Sequence, residues 1–274
     1  MSTSDIAVQL AVGLTEYTNF RMQQVQGFNP AVDANYQDIW APGGIYPFPT
    51  ALAANPMTIA STDAADNSSG TGARTVRVTG ITTTSGFDTE LVSLNGVTPV
   101  VLTAAFQRIT DAIVVTAGSG QSNAGDISIV ESGSGDVMSF IPIGYGRQQQ
   151  VITSIDDPAL VSLNVSVGDA AGAVSGGNVV QVRLETRTFL PALPNNPVWI
   201  VRDEFQVTDS AGQAQRTYNP VAVWGLDIGN PNNSFTDIRL RARCATTTAL
   251  VQAVMSFYRA VPDSTTGFRS YPFP

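Results

Sequence analysis

The sequence predicts an all-β protein of two antiparallel β-sandwich units, the second jelly-roll-like, with an extended N-terminal arm and a C-terminal tail. Three observations lead there. Short apolar runs recur about every ten residues with Gly, Asn and Ser between them, the spacing of strands in a sandwich or barrel. Longer runs in the second half alternate apolar and polar residues with the period of two that turns successive side chains to opposite faces. Charged residues make up only 13% of the 274 residues, half of the ~25% usual in soluble domains, and Thr, Ser, Asn, Gln and Gly take their place. Apolar residues, at 43%, still suffice for packed cores.

Residues 1–52 read as the arm. Ile6, Val8, Leu10, Val12 and Leu14 alternate with Ala7, Gln9, Ala11 and Gly13, a strand period. A helix over 5–25 stays open, because Ile6, Leu10, Leu14 and Thr18 also share a helical face. Between Asp38 and Pro49, Pro42, Pro47 and Pro49 with Gly43 and Gly44 forbid a regular ladder. The aromatics Tyr36, Trp40, Tyr46 and Phe48 then either dock on a partner or pack on the chain's own domain.

The first unit, 53–145, has candidate strands at Met57–Ser61, Arg74–Ile81, Glu90–Leu94, Val100–Thr103, Ile109–Ala117, Asp126–Val130 and Val137–Ile143. Leu94-Asn-Gly-Val97 carries the Asn-Gly pair of a tight hairpin, since both central positions of such a turn want positive φ. After Tyr145-Gly-Arg-Gln-Gln-Gln150 the second unit, 146–262, offers Val151–Ile155, Leu160–Val167, Val179–Phe189, Val198–Val207, Val221–Ile228, Asp237–Thr246 and Leu250–Val261. Val180, Val182 and Leu184 oppose Gln181, Arg183 and Glu185, while Ile238, Leu240, Ala242 and Cys244 oppose Arg239, Arg241 and Arg243. One face is dry and the other wet, as antiparallel sheets allow. The tail, 263–274, ends in Tyr271-Pro-Phe-Pro274 and repeats Tyr46-Pro-Phe-Pro49, so both segments suit an extended clip on a neighbouring subunit.

The composition excludes much chemistry. All 14 basic residues are arginine, and histidine is absent. Without His there is no Ser-His-Asp or Cys-His nucleophile and no imidazole metal site. Without Lys there is no Schiff base and no phosphate-loop lysine. The single Cys excludes a disulfide framework and a multi-Cys zinc site, and Cys244 falls on the dry side of its strand. A net charge of −8 opposes a nucleic-acid face. No apolar run approaches the ~20 residues of a membrane span, and Met1-Ser-Thr-Ser-Asp5 lacks the cationic start of a signal peptide.

What remains are carboxylates, hydroxyls and arginines. Asp63, Asp66 and Asn67 suit a calcium loop or an ordinary turn, and their spacing favours the turn. The acid pairs Asp156-Asp157 and Asp203-Glu204 read as loop acids, because strand neighbours point apart and a glycosidase needs two carboxylates flanking one sugar. Trp40, Trp199 and Trp224 suit sugar stacking or a sandwich core. Arg239, Arg241 and Arg243 form a stripe for an acidic partner or a solvated face with cross-strand partners such as Glu185.

Ile39-Trp-Ala-Pro-Gly-Gly44, Ile59-Ala-Ser-Thr-Asp-Ala-Ala-Asp66 and Gly70-Thr-Gly-Ala-Arg-Thr-Val-Arg-Val-Thr-Gly-Ile81 resemble the opening of tailed-bacteriophage virion structural proteins. Thr89-Glu-Leu-Val-Ser-Leu-Asn-Gly-Val-Thr98, Phe106-Gln-Arg108, Asn123-Ala-Gly-Asp-Ile-Ser-Ile129 and Asp237-Ile-Arg-Leu240 continue the resemblance, which spans 36–260. It implies a capsid decoration (cement), head-fibre or tail and neck protein, and it brings no catalytic residues. The resulting expectation is a non-enzymatic homotrimer or other homo-oligomer on the major capsid protein or other virion proteins. It would be made in the host cytoplasm and sit at the particle surface, with no cofactor, metal, nucleic-acid or membrane partner. Its expected contact residues are Trp40, Tyr46, Phe48, Arg239, Arg241, Arg243, Tyr271 and Phe273. The alternative is a tail, neck or fibre component that binds host glycan. More remote is a polysaccharide depolymerase working through carboxylates.

Overall fold

The computed structural model describes residues 20–48, 56–82, 86–155, 159–169, 179–189, 198–208, 213–217, 235–245 and 248–260. Its strands in chain order begin with β1 (Phe20–Val32), β2 (Gln37–Asp38), β3 (Met57–Ser61), β4 (Ala73–Thr82) and β5 (Gly86–Ser93). Next come β6 (Val100–Val101), β7 (Phe106–Ala117), β8 (Ile127–Glu131), β9 (Val137–Ile141) and β10 (Ile152–Ile155). The last six are β11 (Ala159–Asp169), β12 (Val179–Phe189), β13 (Ile200–Thr208), β14 (Gln213–Thr217), β15 (Phe235–Cys244) and β16 (Ala249–Ala260). The protein is all-β, and these strands pair antiparallel.

Two sheets, β1-β16-β11-β14 and β10-β15-β12-β13, close over one core, with β2 joined to β15. The pairs β1·β16, β10·β15, β11·β14 and β12·β13 are rungs of one long ribbon, out through β1, β10, β11 and β12 and back through β13 to β16. Rolling that ribbon lays β16 on β11 and β15 on β12, which is the jelly-roll arrangement. The period-two pattern decides which side chains go inside. Val180, Val182 and Leu184 of β12 meet Ile238, Leu240, Ala242 and Cys244 of β15. Leu163, Val165, Val251, Met255 and Phe257 of the facing sheet complete the core, all buried.

The other sandwich is inserted between β2 and β10. Its sheets, β6-β3-β8-β9 and β5-β4-β7, enclose a separate core around Ile59, Val76, Val78, Phe106, Ile127, Ile129 and Met138. The chain leaves and re-enters the jelly roll side by side. β2 and β10 occupy the same edge of β15, at Arg241–Ala242 and Thr236–Arg239 respectively, and Trp40 bridges to Gln150. Here β1 runs so close to the returning chain that a Cβ on Gly27 would lie 2.4 Å from the Gln150 backbone nitrogen, which is why glycine stands there.

Several expectations need adjusting. Phe20–Val32, placed within the arm, is a jelly-roll strand along β16, so from Phe20 onward the 5–25 segment is strand. A turn does stand here, with Gly96 at φ +61° and the Thr98 amide donating to the Asn95 carbonyl at 3.1 Å, but its central pair is Gly96-Val97, and Asn95 is not at positive φ. It does not close a hairpin, however. β5 pairs with β4 and β6 with β3, so the turn carries the chain from one sheet to the other. The polar strand β14 was not anticipated. Residues 1–19, Asp156-Asp157, Val221–Ile228 with Trp224, and the tail with Tyr271 and Phe273 lie outside the described residues.

Candidate functional site

On β15 the alternation turns Asp237, Arg239, Arg241 and Arg243 away from the jelly-roll core. Opposite them on β12 stand Arg187, Glu185, Arg183 and Gln181, in that order. Opposite charges directly across a sheet contribute about 0.2–1 kcal/mol a pair, and like charges there destabilise it. Arg239 meets Glu185, with its Nη2 2.7 Å and its Nε 2.8 Å from Oε2. Arg243 donates from Nε to the Gln181 Oε1 at 2.7 Å. Arg241 and Arg183 are like charges in register, and each is drawn off sideways. Arg241 donates to the Tyr36 carbonyl and lies 3.8 Å from Asp38 Oδ1, while Arg183 holds Glu204 of β13 at 3.0 Å.

At the other end of the face the inserted sandwich plugs in. Arg108 of β7, only 2% exposed, reaches across to Asp237, which is entirely buried, with Nε 3.1 Å from Oδ1. Arg187 meets the other carboxylate oxygen, with Nη2 at 2.9 Å and Nε at 3.0 Å. The Ser154 hydroxyl of β10 donates to Oδ1 as well. One carboxylate thus faces two buried guanidiniums from different sandwiches. Burial holds the Arg187 guanidinium below its usual pKa range against the attraction of Asp237.

Residues 36–48 cover this joint. Trp40, Tyr46, Phe48 and Trp199 stack edge to face in a ladder, with ring centroids 5.2, 4.7 and 4.9 Å apart in turn. Arg187 and Arg239 lie over the Trp199 ring at 4.5 and 3.8 Å, and Arg183 and Arg243 over Tyr36 at 4.1 and 4.8 Å. The Tyr46 hydroxyl donates to the Met138 carbonyl of β9 at 2.8 Å, so this residue too links the two sandwiches. Burial pushes the Tyr46 phenol upward, and burial pushes the Tyr36 phenol up ahead of its hydrogen bond to Glu204.

The covering segment is fastened by Asp38. Its Oδ2 accepts from the Tyr46 amide at 2.8 Å, and its carbonyl accepts from the Asn29 side-chain amide at 2.9 Å. Burial raises the Asp38 carboxyl to about 6, against the pull of Arg239 and Arg241.

Six of the eight expected contact residues therefore converge on one patch. Trp40 and Tyr46 are buried there on this chain's own sheets, and Phe48 is half-buried. Arg239, Arg241 and Arg243 each have partners within the chain. Sequence reading missed Asp237, Arg108, Arg187 and Asp38 as members. Asp237 was visible in phase with the stripe, whereas Arg108, set among the apolar residues of β7, finds its partner 129 positions away.

The remaining chemistry-bearing candidates are occupied. Asp66 is wholly buried and accepts four hydrogen bonds, from the amides of Ala73, Ala124 and Gly125 and from the Ser61 hydroxyl, at 2.6–2.9 Å. It pins a turn to the Asn123–Gly125 loop. Glu204 accepts from Arg183 and from Tyr36 at 3.0 Å each, and these two bonds hold its pKa below the usual range. Among the described residues no cluster of three or more His, Cys, Asp or Glu could hold a metal ion.

No family model matches this chain, and no curated protein matches it. Among solved structures it is similar to infectious bursal disease virus, Gx strain, at 12% identity over 90% of this chain and 77% of that one, with a TM-score of 0.15. It is similar to the VP2 subviral particle of infectious bursal disease virus at 10% identity over 92% and 74%, with a TM-score of 0.15. It is also similar to the stem and receptor-binding domain of spike protein P1 from bacteriophage PM2, at 12% identity over 86% and 96%, with a TM-score of 0.13. These are viral capsid and spike proteins, and at such TM-scores the likeness carries no argument.

Proposed function

We propose that this chain is a non-enzymatic structural protein of a tailed-phage virion, a decoration (cement) protein that assembles as a homotrimer or other homo-oligomer on the capsid surface. The observation that carries this reading is the use made of charge. The arginines and acids of the β12–β15 face do not converge on an open cleft; they pair with one another, with the covering segment 36–48 and, through Asp237 and Arg108, with the inserted sandwich. An enzyme leaves its ionisable groups where a substrate can reach them, whereas a building block uses them as mortar.

Three further points support it. Jelly rolls recur in viral capsids, an analogy at the level of fold alone. The edge strand β13 and the residues before it expose Val198, Ile200 and Val201, an apolar border suited to a subunit contact. A sugar-cleaving acid needs a raised pKa, and Glu204 is held the other way by Arg183 and Tyr36, which argues against Glu204 as the acid of a depolymerase.

Quantitative mass spectrometry of purified particles tests the proposal. A capsid coat contains the chain in many tens of copies or more. A tail or neck fibre that meets host glycan, the second placement, carries a ring's worth, on the order of 3–18 by closed symmetry. A chain found in infected-cell lysate and absent from particles ends both.

A further inference from the structure

The outer face of the other jelly-roll sheet carries a different chemistry. Where β1, β16 and β11 lie side by side, cross-strand register sets Phe28, Gln252 and Ser166 in one row and Gln26, Val254 and Asn164 in the next. These rows floor a groove of about 430 Å³ walled on one side by Tyr145 of the inserted sandwich. None of its described lining residues is charged. In a chain with arginine pairs packed on the opposite sheet, this is a segregation of chemistry. The Phe28 and Tyr145 rings stand 5.5 Å apart at 36°, a shallow V, and Tyr145 is 54% exposed.

We infer that this groove binds a neutral oligosaccharide. A sugar ring offers apolar C–H faces and a rim of hydroxyls, each both donor and acceptor. The aromatic V, with Tyr145 exposed and Phe28 half-buried, matches the first, because ring faces attract partially positive C–H groups. Carboxamides match the second, since each presents a donor pair and an acceptor on one planar group. Gln252 and Asn164 are exposed, and Gln26 and Ser166 half-buried, so their polar atoms stand at the groove surface. Adjacent strands lie ~4.8 Å apart, close to the length of one pyranose, so successive sugars can meet successive strands. An anionic glycan finds no cation among the described lining residues, and a hydrophobic ligand leaves four polar side chains unpaired at a cost. Because Tyr145 comes from the inserted sandwich and Phe28 from β1, the site exists only where the two sandwiches meet. It requires no assumption about where on a particle the chain sits.

The full chain is immobilised and screened by biolayer interferometry against neutral gluco-, galacto- and manno-oligosaccharides, with sialylated and sulfated oligosaccharides alongside. At least one neutral oligosaccharide binds, and Tyr145→Ala weakens it by tenfold or more. The Asn164→Ala/Gln252→Ala double variant weakens it too, while Ile143→Ala, on an equally exposed side chain outside the lining, leaves it unchanged. Absence of binding to every neutral oligosaccharide overturns the inference. So does preference for the anionic set, or binding indifferent to Tyr145→Ala and to the double variant. Virion copy number is untouched by any of these results, so the two proposals fail separately.

Discussion

Asp237 shows how far one side chain can organise a fold. Its carboxylate accepts from Arg108, Arg187 and Ser154 with no solvent exposure, so the cluster has exchanged water for one another's charges. Buried ion pairs gain little over a well-packed apolar set, but breaking one leaves an uncompensated charge. Asp237→Asn keeps the shape and removes the negative charge, stranding two guanidiniums. Urea unfolding should show a loss of about 3–5 kcal/mol. Arg243→Ala, at the solvent end of the same stripe, should cost no more than about 1 kcal/mol. Equal losses at the two positions would refute the distinction. The stripe itself was legible in the sequence, because alternation on β15 requires neighbouring arginines to share a face. Its partners were only partly legible. Glu185 follows from cross-strand proximity, but Arg108 and Asp38 arrive through the path of the chain, which periodicity does not encode. Asp66 makes the same point. It reads as a turn residue, and its buried role depends on amides 58 and 59 positions away.

At the scale of elements, β2 is two residues long and owes its place to Asp38. Ionised, this carboxyl is buried with Oδ1 3.8 Å from Nε of both Arg239 and Arg241, and Glu185 also faces it. Burial outweighs the arginines and raises its pKa from 3.8 to about 6. The folded chain therefore binds this proton more tightly than the unfolded chain does. The stabilisation is fully present below pH 3.8 and is lost as pH rises through about 6. The shift of roughly two units corresponds to about 3 kcal/mol. Asp38→Asn cannot titrate, so the stability of the variant minus that of the wild type should climb by about that amount between pH 3 and 6.5, then level off. A flat difference curve would show that the carboxyl is not carrying this linkage. Most strands were legible from turn spacing, and Met57–Ser61 and Val179–Phe189 match their expected bounds. β14 was not, because Gln213–Thr217 is polar throughout apart from Ala214 and is held by its backbone pairing with β11. The Asn-Gly turn was legible as a turn and illegible as a crossover, since turn chemistry fixes local φ and not which sheet the next strand joins.

For the whole molecule, two all-β units were legible and their nesting was not: the pairing of β1 with β16, more than two hundred residues apart, leaves no trace in local pattern. Nesting has a physical consequence. The two sandwiches have separate cores, and separate cores tend to melt separately unless their contact is strong. Here the contact is a buried ion cluster, the Tyr46 bond to Met138 and the aromatic ladder, and both chain connections pass through it. Wild-type protein should unfold in one calorimetric transition with equal calorimetric and van't Hoff enthalpies. Arg108→Met removes the ion pair between the sandwiches and leaves the Tyr46 bond and the aromatic ladder in place. The thioether side chain fills much of the vacated volume, while Asp237 keeps Arg187 and Ser154 on its own sandwich, so neither core loses its packing. Differential scanning calorimetry of the variant should resolve two transitions where the wild type shows one. Two transitions in the wild type, or a single two-state transition in the variant, would mean that charge does not couple the units. The mortar would then have to be sought in the aromatic ladder, where Tyr46→Phe removes the bond to Met138 and leaves the ring stack in place.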